Sequence, residues 1–343
     1  MRIGGIFKWR TRLRVPPAAS SRPRKLSHAN FSVQRTIINN TNGRPENMFN
    51  PSTFSSNQYL DIETKGYTKF RYRPLNSEQN EIRLLRIIPA SDPGSTIHCH
   101  IFHTSLDNAP PYEALSYAWG DRSELHQILI DSNYVNVTPN LHNALQRLRP
   151  RPGDSELVIW VDALCINQED IPERSIQTSK MRTIYQSAQR VSIWLGLEKD
   201  ESTLAMQLAR DLNQSSMSQI SKMIQDTMRE GQFSALVLLF RRQYWWRIWV
   251  IQEVSYARTA IVYCGDDSIP WTQLENVCDA FRKQEEHLQR LYYKRLSYIH
   301  TLTHGGPRGL QLSRFSPDAS APPLLELLLS HKSKKSTVSI WAY

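Results

Sequence analysis

Apolar positions along the chain follow two spacings, and their alternation predicts strands and helices in turn. Short apolar segments at 82–88 and 97–102 flank the turn sequence PASDPGS, and residues 112–120 form a third strand that ends at a glycine. The stretch 128–137, ILIDSNYVNV, predicts a hairpin that turns at its DSN sequence. The first part of the folded chain is therefore expected to be rich in strands.

A strand, a helix and a second strand follow one another in the middle of the chain. Residues 157–166, LVIWVDALCI, are almost continuously apolar, which is typical of a strand buried on both faces of a parallel sheet. Residues 169–190 predict a helix that begins with a capping-box pattern, Asp170 with Glu173. A short apolar strand at 191–196 completes the unit, and such units build parallel sheets.

Further segments enlarge this unit. Thr138 as N-cap and Pro139 at the first helical position open a helix at 138–148, where apolar residues recur at helical spacing. A polar helical stretch at 201–230 and a strand at 259–265 follow. The pattern predicts an α/β fold in which a parallel sheet is flanked by helices and carries β-hairpin and helical insertions.

The positive charge of the chain is concentrated at its N-terminus. The formal net charge is +10, but residues 1–40 hold nine of the 42 Lys and Arg residues and no Asp or Glu. The remainder carries 33 basic against 32 acidic residues and is close to neutral. Because residues 1–80 are rich in Asn, Ser, Pro and Arg, we interpret them as a disordered basic leader before a folded region that begins near Glu81. Mitochondrial transit peptides share this composition, so a mitochondrial location is the alternative to a cytoplasmic one.

Several classes of protein are excluded by what the sequence lacks. Four scattered cysteines without a CxxC pair indicate a reducing, intracellular environment. Apolar runs fall short of the roughly 18 residues of a membrane span, and GxGxxG or GxxxxGK[ST] phosphate cradles are absent. His98 and His100 lack a third ligand in a recognisable spacing, so no metal site is predicted. Specific nucleic-acid binding is not expected, because no known module accompanies the basic leader.

Polar and aromatic residues collect where the strand ALSYAWG ends. Ser116, Tyr117, Trp119 and Gly120 lie there; the glycine permits a tight turn and the aromatic rings offer stacking faces. In open α/β sheets, ligands bind beyond the carboxyl ends of the strands. These four residues are therefore candidate binding residues.

A second candidate group follows the apolar run in the middle of the chain. Asp162, Cys165, Asn167 and Gln168 put an acid, a thiol and two amides into one loop after a strand. The structural alternative is that Asp162 caps a turn, the amides satisfy backbone groups and Cys165 is a small buried hydrophobe. A nucleophilic role for Cys165 is not favoured, since no histidine lies near it in the sequence.

The segment QYWWRIWVIQEV places one carboxylate among three tryptophans. On a single helix, Trp249 and Glu253 would share a face, with Trp245 one turn earlier. Glu253 would then face a pocket lined by tryptophans, where desolvation alters the chemistry of a carboxylate. The structural alternative is a core helix in which Glu253 pairs with Arg247 or Arg258.

Three segments together resemble the blocks of the fungal HET (heterokaryon incompatibility) domain. They are YEALSYAWGD, then WVDALCINQEDIPERSIQTSKMRTIYQSAQRVSIWLG, then WWRIWVIQEVSYA, and they occur in the family's order. The resemblance covers about Glu81 to Cys278 and places a HET domain at residues 81–335. It implies a fungal intracellular protein that triggers incompatibility and programmed cell death on non-self recognition, commonly downstream of a receptor-like partner.

HET domains are regarded as distant relatives of TIR (Toll/interleukin-1 receptor) domains, so the resemblance implies a flavodoxin-like sheet. Some TIR domains hydrolyse NAD with a helix glutamate that follows a tryptophan by four positions, as Glu253 follows Trp249 here. By this resemblance Glu253 is the candidate catalytic residue and NAD the candidate substrate, with Trp119 or Trp249 stacked on a flat ring. No cofactor is implied. The other candidate substrate-binding residues are Ser116, Tyr117, Gly120, Asp162, Cys165, Asn167, Gln168 and Gln252.

The C-terminal sequence departs from the family pattern. Family members usually continue after a segment like LLELLLSHKSKKST into a block resembling DPRDKVYALLGL, whereas this chain ends in VSIWAY, and we treat residues 336–343 as its tail. We interpret this tail as atypical, the result of either a truncation of the last part of the domain or a misread exon boundary near Ser336. The sequence leaves three functions open: a death effector that cleaves NAD, a non-catalytic module that signals by self-assembly, and an inactive truncated paralogue.

Overall fold

A computed structural model describes residues 66–247 and 249–307, with Ile251 described by its backbone alone. Its strands form a single mixed sheet that is flanked by helices. The predicted α/β class is therefore confirmed. The strands are β1 (Glu81–Ile87), β2 (His98–Ser105), β3 (Glu113–Tyr117), β4 (His126–Ile130), β5 (Asn133–Val137), β6 (Leu157–Trp160), β7 (Arg190–Trp194), β8 (Ala260–Cys264) and β9 (Asp267–Pro270).

The helices lie between and after these strands. The polar stretch at 201–230, which is predicted to be helical, forms two helices followed by a 3-10 turn. The helices are α1 (Pro139–Leu148), α2 (Asp162–Cys165), α3 (Ile171–Ser187), α4 (Ser202–Asn213), α5 (Met217–Gln225), α6 (Glu230–Phe240), α7 (Val250–Ser255), α8 (Trp271–Lys283), α9 (Glu285–Leu291) and α10 (Leu296–His304). Among the residues described, no helix combines the length and the apolar character needed to cross a membrane.

The strand order in the sheet is β5-β4-β2-β1-β6-β3-β7-β8-β9. Four neighbouring strands at its centre, β6, β3, β7 and β8, are parallel. Numbered by their sequence order among themselves, these four stand in the order 2-1-3-4, which is the order of a flavodoxin-like doubly wound sheet. The expectation of a parallel sheet thus holds for this central part.

The remaining strands make the sheet mixed rather than parallel. β1 is antiparallel to both of its neighbours, β2 and β6, and β9 is antiparallel to β8. β4 and β5 form the predicted hairpin, which turns at Asp131 and Ser132 with φ of 48° and 61°. These strands add to the sheet at both sides of the parallel core.

One predicted strand is too long. The apolar run 157–166 is a strand only as far as Trp160, after which Asp162–Cys165 forms a one-turn helix. The amide of Cys165 donates to the Val161 carbonyl at 2.7 Å, and the amide of Ile166 donates to the Asp162 carbonyl at 3.3 Å. An apolar run buried on all sides has no polar alternation that would mark where a strand becomes a helix.

The tryptophan-rich segment is also not one helix. Gln243–Trp246 is a 3-10 turn, and α7 begins only at Val250. Trp245 therefore does not share a helix face with Glu253; it packs in the core, and its indole N–H donates to the Leu239 carbonyl at 2.8 Å. Trp249 does precede Glu253 by one turn, because the Glu253 amide donates to the Trp249 carbonyl at 3.1 Å.

The predicted start of α1 is confirmed. The Thr138 side chain accepts a hydrogen bond from the Leu141 amide at 3.3 Å, and Pro139 occupies the first turn. This helix contacts β3, whose end carries several candidate site residues.

Replacing Thr138 with alanine should lower the free energy of unfolding by about 1 kcal/mol, because an amide at the helix start loses its acceptor. Urea denaturation of the full chain measures this change. Thr138→Ser keeps the acceptor and should stay close to the parent. A Thr138→Ala protein as stable as the parent would show that another group caps α1.

Residues 66–80, which precede the predicted boundary at Glu81, contact the domain. Lys69 forms a parallel bridge with Tyr134 of β5, and the Tyr72 hydroxyl donates to the Leu164 carbonyl at 3.0 Å. The remaining part of the predicted leader and the predicted truncation with its tail at 336–343 lie outside the described residues.

Candidate functional site

The crossover of the parallel strands places the switch point of the sheet between the carboxyl ends of β3 and β7. The chain leaves β3 toward β6 on one side and returns from β6 to β7 on the other. In doubly wound sheets this reversal is where ligands bind, because the connections diverge there and leave a cleft. Ser116 and Tyr117 end β3, and Asp162 follows β6, so residues of both predicted groups lie at this edge.

Glu253 reaches this edge from the first turn of α7, a helix that contacts β3. Its carboxylate accepts a hydrogen bond from the Ser116 hydroxyl. The Ser116 oxygen in turn lies 2.8 Å from the Tyr244 hydroxyl, which donates to it when Ser116 donates to Glu253. Two guanidinium nitrogens of Arg247 approach the two carboxylate oxygens at 3.3 Å each. We call Ser116, Tyr244, Arg247 and Glu253 the carboxylate cluster.

The carboxylate cluster is buried, and burial controls its electrostatics. Glu253 is 1% exposed, and burial raises the pKa of its carboxyl group, although the positive charge of Arg247 and the Ser116 hydrogen bond oppose this. Burial lowers the pKa of Arg247, but the negative charges of Glu253 and Asp162 raise it by more. The guanidinium therefore stays positive between two acidic groups.

Asp162 is the second buried acid of the site. Burial raises its pKa, and the nearby Arg247 charge is the largest opposing influence. The Trp119 indole donates to Asp162 at 2.8 Å, and the Ala163 amide donates to its other oxygen at 2.7 Å. The guanidinium of Arg122 lies 4.7 Å from the Trp119 ring. The indole predicted to stack on a ligand is thus held by an acid at its edge and faced by a cation.

The side chains of three predicted binding residues contact the backbone of their own loop. Cys165 is buried, and its sulfur accepts a hydrogen bond from the Val161 amide at 3.3 Å. Burial raises the pKa of the Cys165 thiol to about 12, so it is a neutral thiol. The Gln168 amide donates to the Asp162 carbonyl at 2.8 Å, and the Asn167 side chain accepts from the Glu169 amide at 3.2 Å. These contacts hold the loop that presents Asp162.

The turn after β3 needs its glycine. Gly120 has a φ of 76°, and a Cβ atom there would meet the Asn140 side chain at 3.2 Å. Asn140 donates to the Ala118 carbonyl at 2.5 Å and accepts from the Trp194 indole at 2.9 Å. Asn140 thus links the ends of β3 and β7, a role that its position near the start of α1 gives no reason to expect.

The other candidates and the residues that the sequence missed lie around α7. Trp249 and Gln252 are half-buried, next to Glu253 along the chain. Arg247 was expected only as the structural partner of Glu253, and that pairing is observed; Arg258 instead donates to the Gln186 carbonyl at 3.2 Å. Tyr244 was not expected, since nothing in the sequence places its hydroxyl beside a serine 128 residues away.

The site is closed to solvent except at Arg247. Ser116, Tyr244 and Glu253 are each 1% exposed, whereas the Arg247 side chain is 19% exposed.

A surface cavity of about 280 Å³ lies away from this site, between α5, α6 and the α9–α10 connection. The described residues hold no group of three or more His, Cys, Asp or Glu side chains that could bind a metal ion.

The fold and the buried acids define a doubly wound α/β domain with a closed, acidic site at the switch point of its sheet. Residues 112–253 match the family described as "Heterokaryon incompatibility protein (HET)", and this segment contains every member of the carboxylate cluster. This match confirms the resemblance to the HET family that the three sequence blocks predict.

One curated relative extends this match. The chain is 29% identical over 252 residues to "Heterokaryon incompatibility protein 6, OR allele" of Neurospora crassa. The aligned region covers 61% of this chain and 36% of the relative, so the chain spans about a third of that protein's length. No solved structure matches the chain significantly.

Proposed function

We propose that this chain is an effector of non-self recognition and programmed cell death that acts by hydrolysing NAD at Glu253. The supporting observation is the position of that acid: it is buried at the carboxyl ends of the parallel strands, where doubly wound sheets bind ligands. The Neurospora relative is named as a heterokaryon incompatibility protein, which supports a role in non-self recognition. A receptor-like partner would supply the trigger.

The proposed reaction breaks the bond between C1′ of the ribose and the nicotinamide nitrogen. The bonding electron pair moves to the ring nitrogen and neutralises its positive charge, while positive charge develops at C1′. Water then bonds to C1′ and loses one proton, so that NAD⁺ and water yield nicotinamide, ADP-ribose and a proton. A carboxylate in a dry site stabilises such oxocarbenium-like charge far better than it would in water.

The geometry gives the neighbouring residues defined tasks in this reaction. The Ser116 hydroxyl donates to Glu253 and fixes the direction of its carboxylate. Tyr244 donates to Ser116 and keeps that serine in place. Asp162 and Trp119 form a linked pair at the adjacent strand end that can meet the nicotinamide amide or ring.

The test is NAD consumption by the purified 343-residue chain, with release of nicotinamide and ADP-ribose as the readout. Glu253→Gln keeps the shape but removes the charge, so turnover should fall at least about a hundredfold. Glu275→Gln alters another buried glutamate, on α8, and serves as the matched control with parental turnover. Equal turnover by the parent and Glu253→Gln would contradict the proposal.

A non-catalytic module that signals by assembly is the second candidate function. The observation that favours it is the closed carboxylate, whose oxygens already have Ser116 and Arg247 as partners. Such a saturated buried cluster can serve folding alone. A parent protein that leaves NAD intact at assembly-permitting concentrations, yet kills cells when expressed, would support this second function.

A further inference from the structure

Arg247 is the member of the carboxylate cluster that lies toward solvent. Its side chain is 19% exposed, against 1% for Glu253, so a ligand approaching the carboxylate meets the guanidinium first. Its two terminal nitrogens, Nη1 and Nη2, each donate to one of the two carboxylate oxygens. While Arg247 stays there, the face of Glu253 that it covers cannot contact a ribose.

A second buried arginine shows what a permanent ion pair looks like in this fold. Arg83 lies 2.6 and 2.9 Å from the Glu173 oxygens and donates to the carbonyls of Cys165 and Arg73 at 3.0 and 2.6 Å. The Arg247 contacts with Glu253 are longer, at 3.3 Å. Among the described residues, the Arg247 guanidinium donates hydrogen bonds to Glu253 and also interacts electrostatically with Asp162, so rotation of this side chain breaks no bond to a carbonyl.

The backbone leaves Arg247 able to make that rotation. It stands between the 3-10 turn that ends at Trp246 and the start of α7 at Val250, and its amide is held by the Tyr244 carbonyl at 3.2 Å. A guanidinium on a fixed backbone can exchange one bidentate oxygen partner for another. Phosphate and diphosphate groups offer the same paired oxygens as a carboxylate, with more negative charge.

We propose that Arg247 recognises the diphosphate of the substrate, and that its transfer from Glu253 to that diphosphate uncovers the carboxylate for the ribose. This inference rests on the proposed hydrolysis of NAD and names the part of the substrate that opens the site. A ligand without phosphate leaves Arg247 on Glu253 and meets a closed site. Arg247 is thus a specificity-determining residue as well as a cover.

The experiment compares NAD with nicotinamide riboside, which has the same scissile bond and no phosphate. The parent should favour NAD by at least about tenfold in kcat/KM, because a charged hydrogen bond is lost with the riboside. Arg247→Ala should lose this preference, through a fall in kcat/KM for NAD with no fall for the riboside. Arg247→Lys keeps the positive charge but lacks the paired N–H donors of the guanidinium, so it should recover part of the preference for NAD.

Two controls accompany these variants. Arg241→Ala removes a neighbouring arginine whose side chain contacts Thr301 and Ser297, and it should keep the parental preference. Inorganic diphosphate should inhibit the parent competitively with NAD and inhibit Arg247→Ala at least about tenfold more weakly.

The outcomes separate the two proposals. A parent that cleaves neither substrate overturns the proposed hydrolysis, and this inference with it. A parent that cleaves both, with a preference that survives in Arg247→Ala, overturns the inference alone. If Arg247→Ala shows no cooperative thermal transition, Arg247→Lys and the diphosphate inhibition of the parent decide, and absence of competition by diphosphate overturns the inference.

Discussion

Replacing Arg83 with alanine is expected to lower the free energy of unfolding by about 3–5 kcal/mol, because it leaves the carboxylate of Glu173 buried without its partner. Arg83 is 1% exposed on β1, and the Glu173 side chain is 9% exposed at the start of α3. The same guanidinium satisfies the carbonyls of Cys165 and Arg73, which also lose a donor. The substitution therefore disconnects β1, the loop after β6 and the segment before β1.

The measurement is chemical denaturation of the full chain, and Arg86→Ala provides a matched control on the same strand. Arg86 pairs with Glu156 at 3.3 Å, but the two side chains are 45% and 64% exposed, so its loss should change the free energy of unfolding by at most about 1 kcal/mol. An Arg83→Ala protein that loses no more than Arg86→Ala would show that Glu173 is solvated in solution.

Replacing Trp160 with alanine is expected to cost about 3–5 kcal/mol of stability, since it leaves a large cavity at the centre of the sheet. Trp160 is fully buried on β6, between β1 and β3, and its ring meets the Tyr185 ring edge-on at 5.5 Å between centroids. Close packing leaves neighbouring side chains little freedom to fill the gap.

The indole of Trp160 makes phenylalanine an informative second variant. Its N–H has no hydrogen-bond partner among the described residues, so Trp160→Phe removes an unsatisfied donor together with part of the ring. Its loss should be clearly smaller than that of alanine. Trp194→Phe is the contrasting case, because the Trp194 indole donates to Asn140 at 2.9 Å. Equal losses for Trp160→Phe and Trp160→Ala would contradict the cavity explanation, because the phenyl ring fills much of the volume that alanine leaves empty.

Local signals account for the parts of the fold that the sequence predicts well. Thr138 and Asp170 cap their helices through amides three residues ahead, and the hairpin turns within two residues. The Glu173 side chain, however, does not make the hydrogen bond that a capping box predicts. Its carboxylate binds Arg83 and the Asn167 amide at 2.7 Å rather than the start of its own helix. That partner lies 90 residues away, beyond any local pattern.

In the candidate site too, the sequence predicts individual residues but not the contacts between distant parts of the chain. Glu253, Ser116 and Asp162 could be proposed because each stands just after a strand or beside an apolar run. Their arrangement could not, because the carboxylate cluster joins a strand to a turn and helix more than a hundred residues later. Cys165, Asn167 and Gln168 share the loop with Asp162. Their spacing in the sequence does not show that their side chains contact the backbone of this loop. Side-chain direction in an irregular loop is decided by tertiary contacts.

Both outer strands of the described sheet are poor templates for a further strand. On β5, the Phe70 amide donates to the Tyr134 carbonyl and the Tyr134 amide donates to the Thr68 carbonyl, each at 3.0 Å. On the opposite side, β9 is four residues long and ends at Pro270, which has no amide hydrogen. Within the part of the chain that the structure describes, these two edges therefore leave few free backbone groups to which a strand of another chain could pair by β-augmentation.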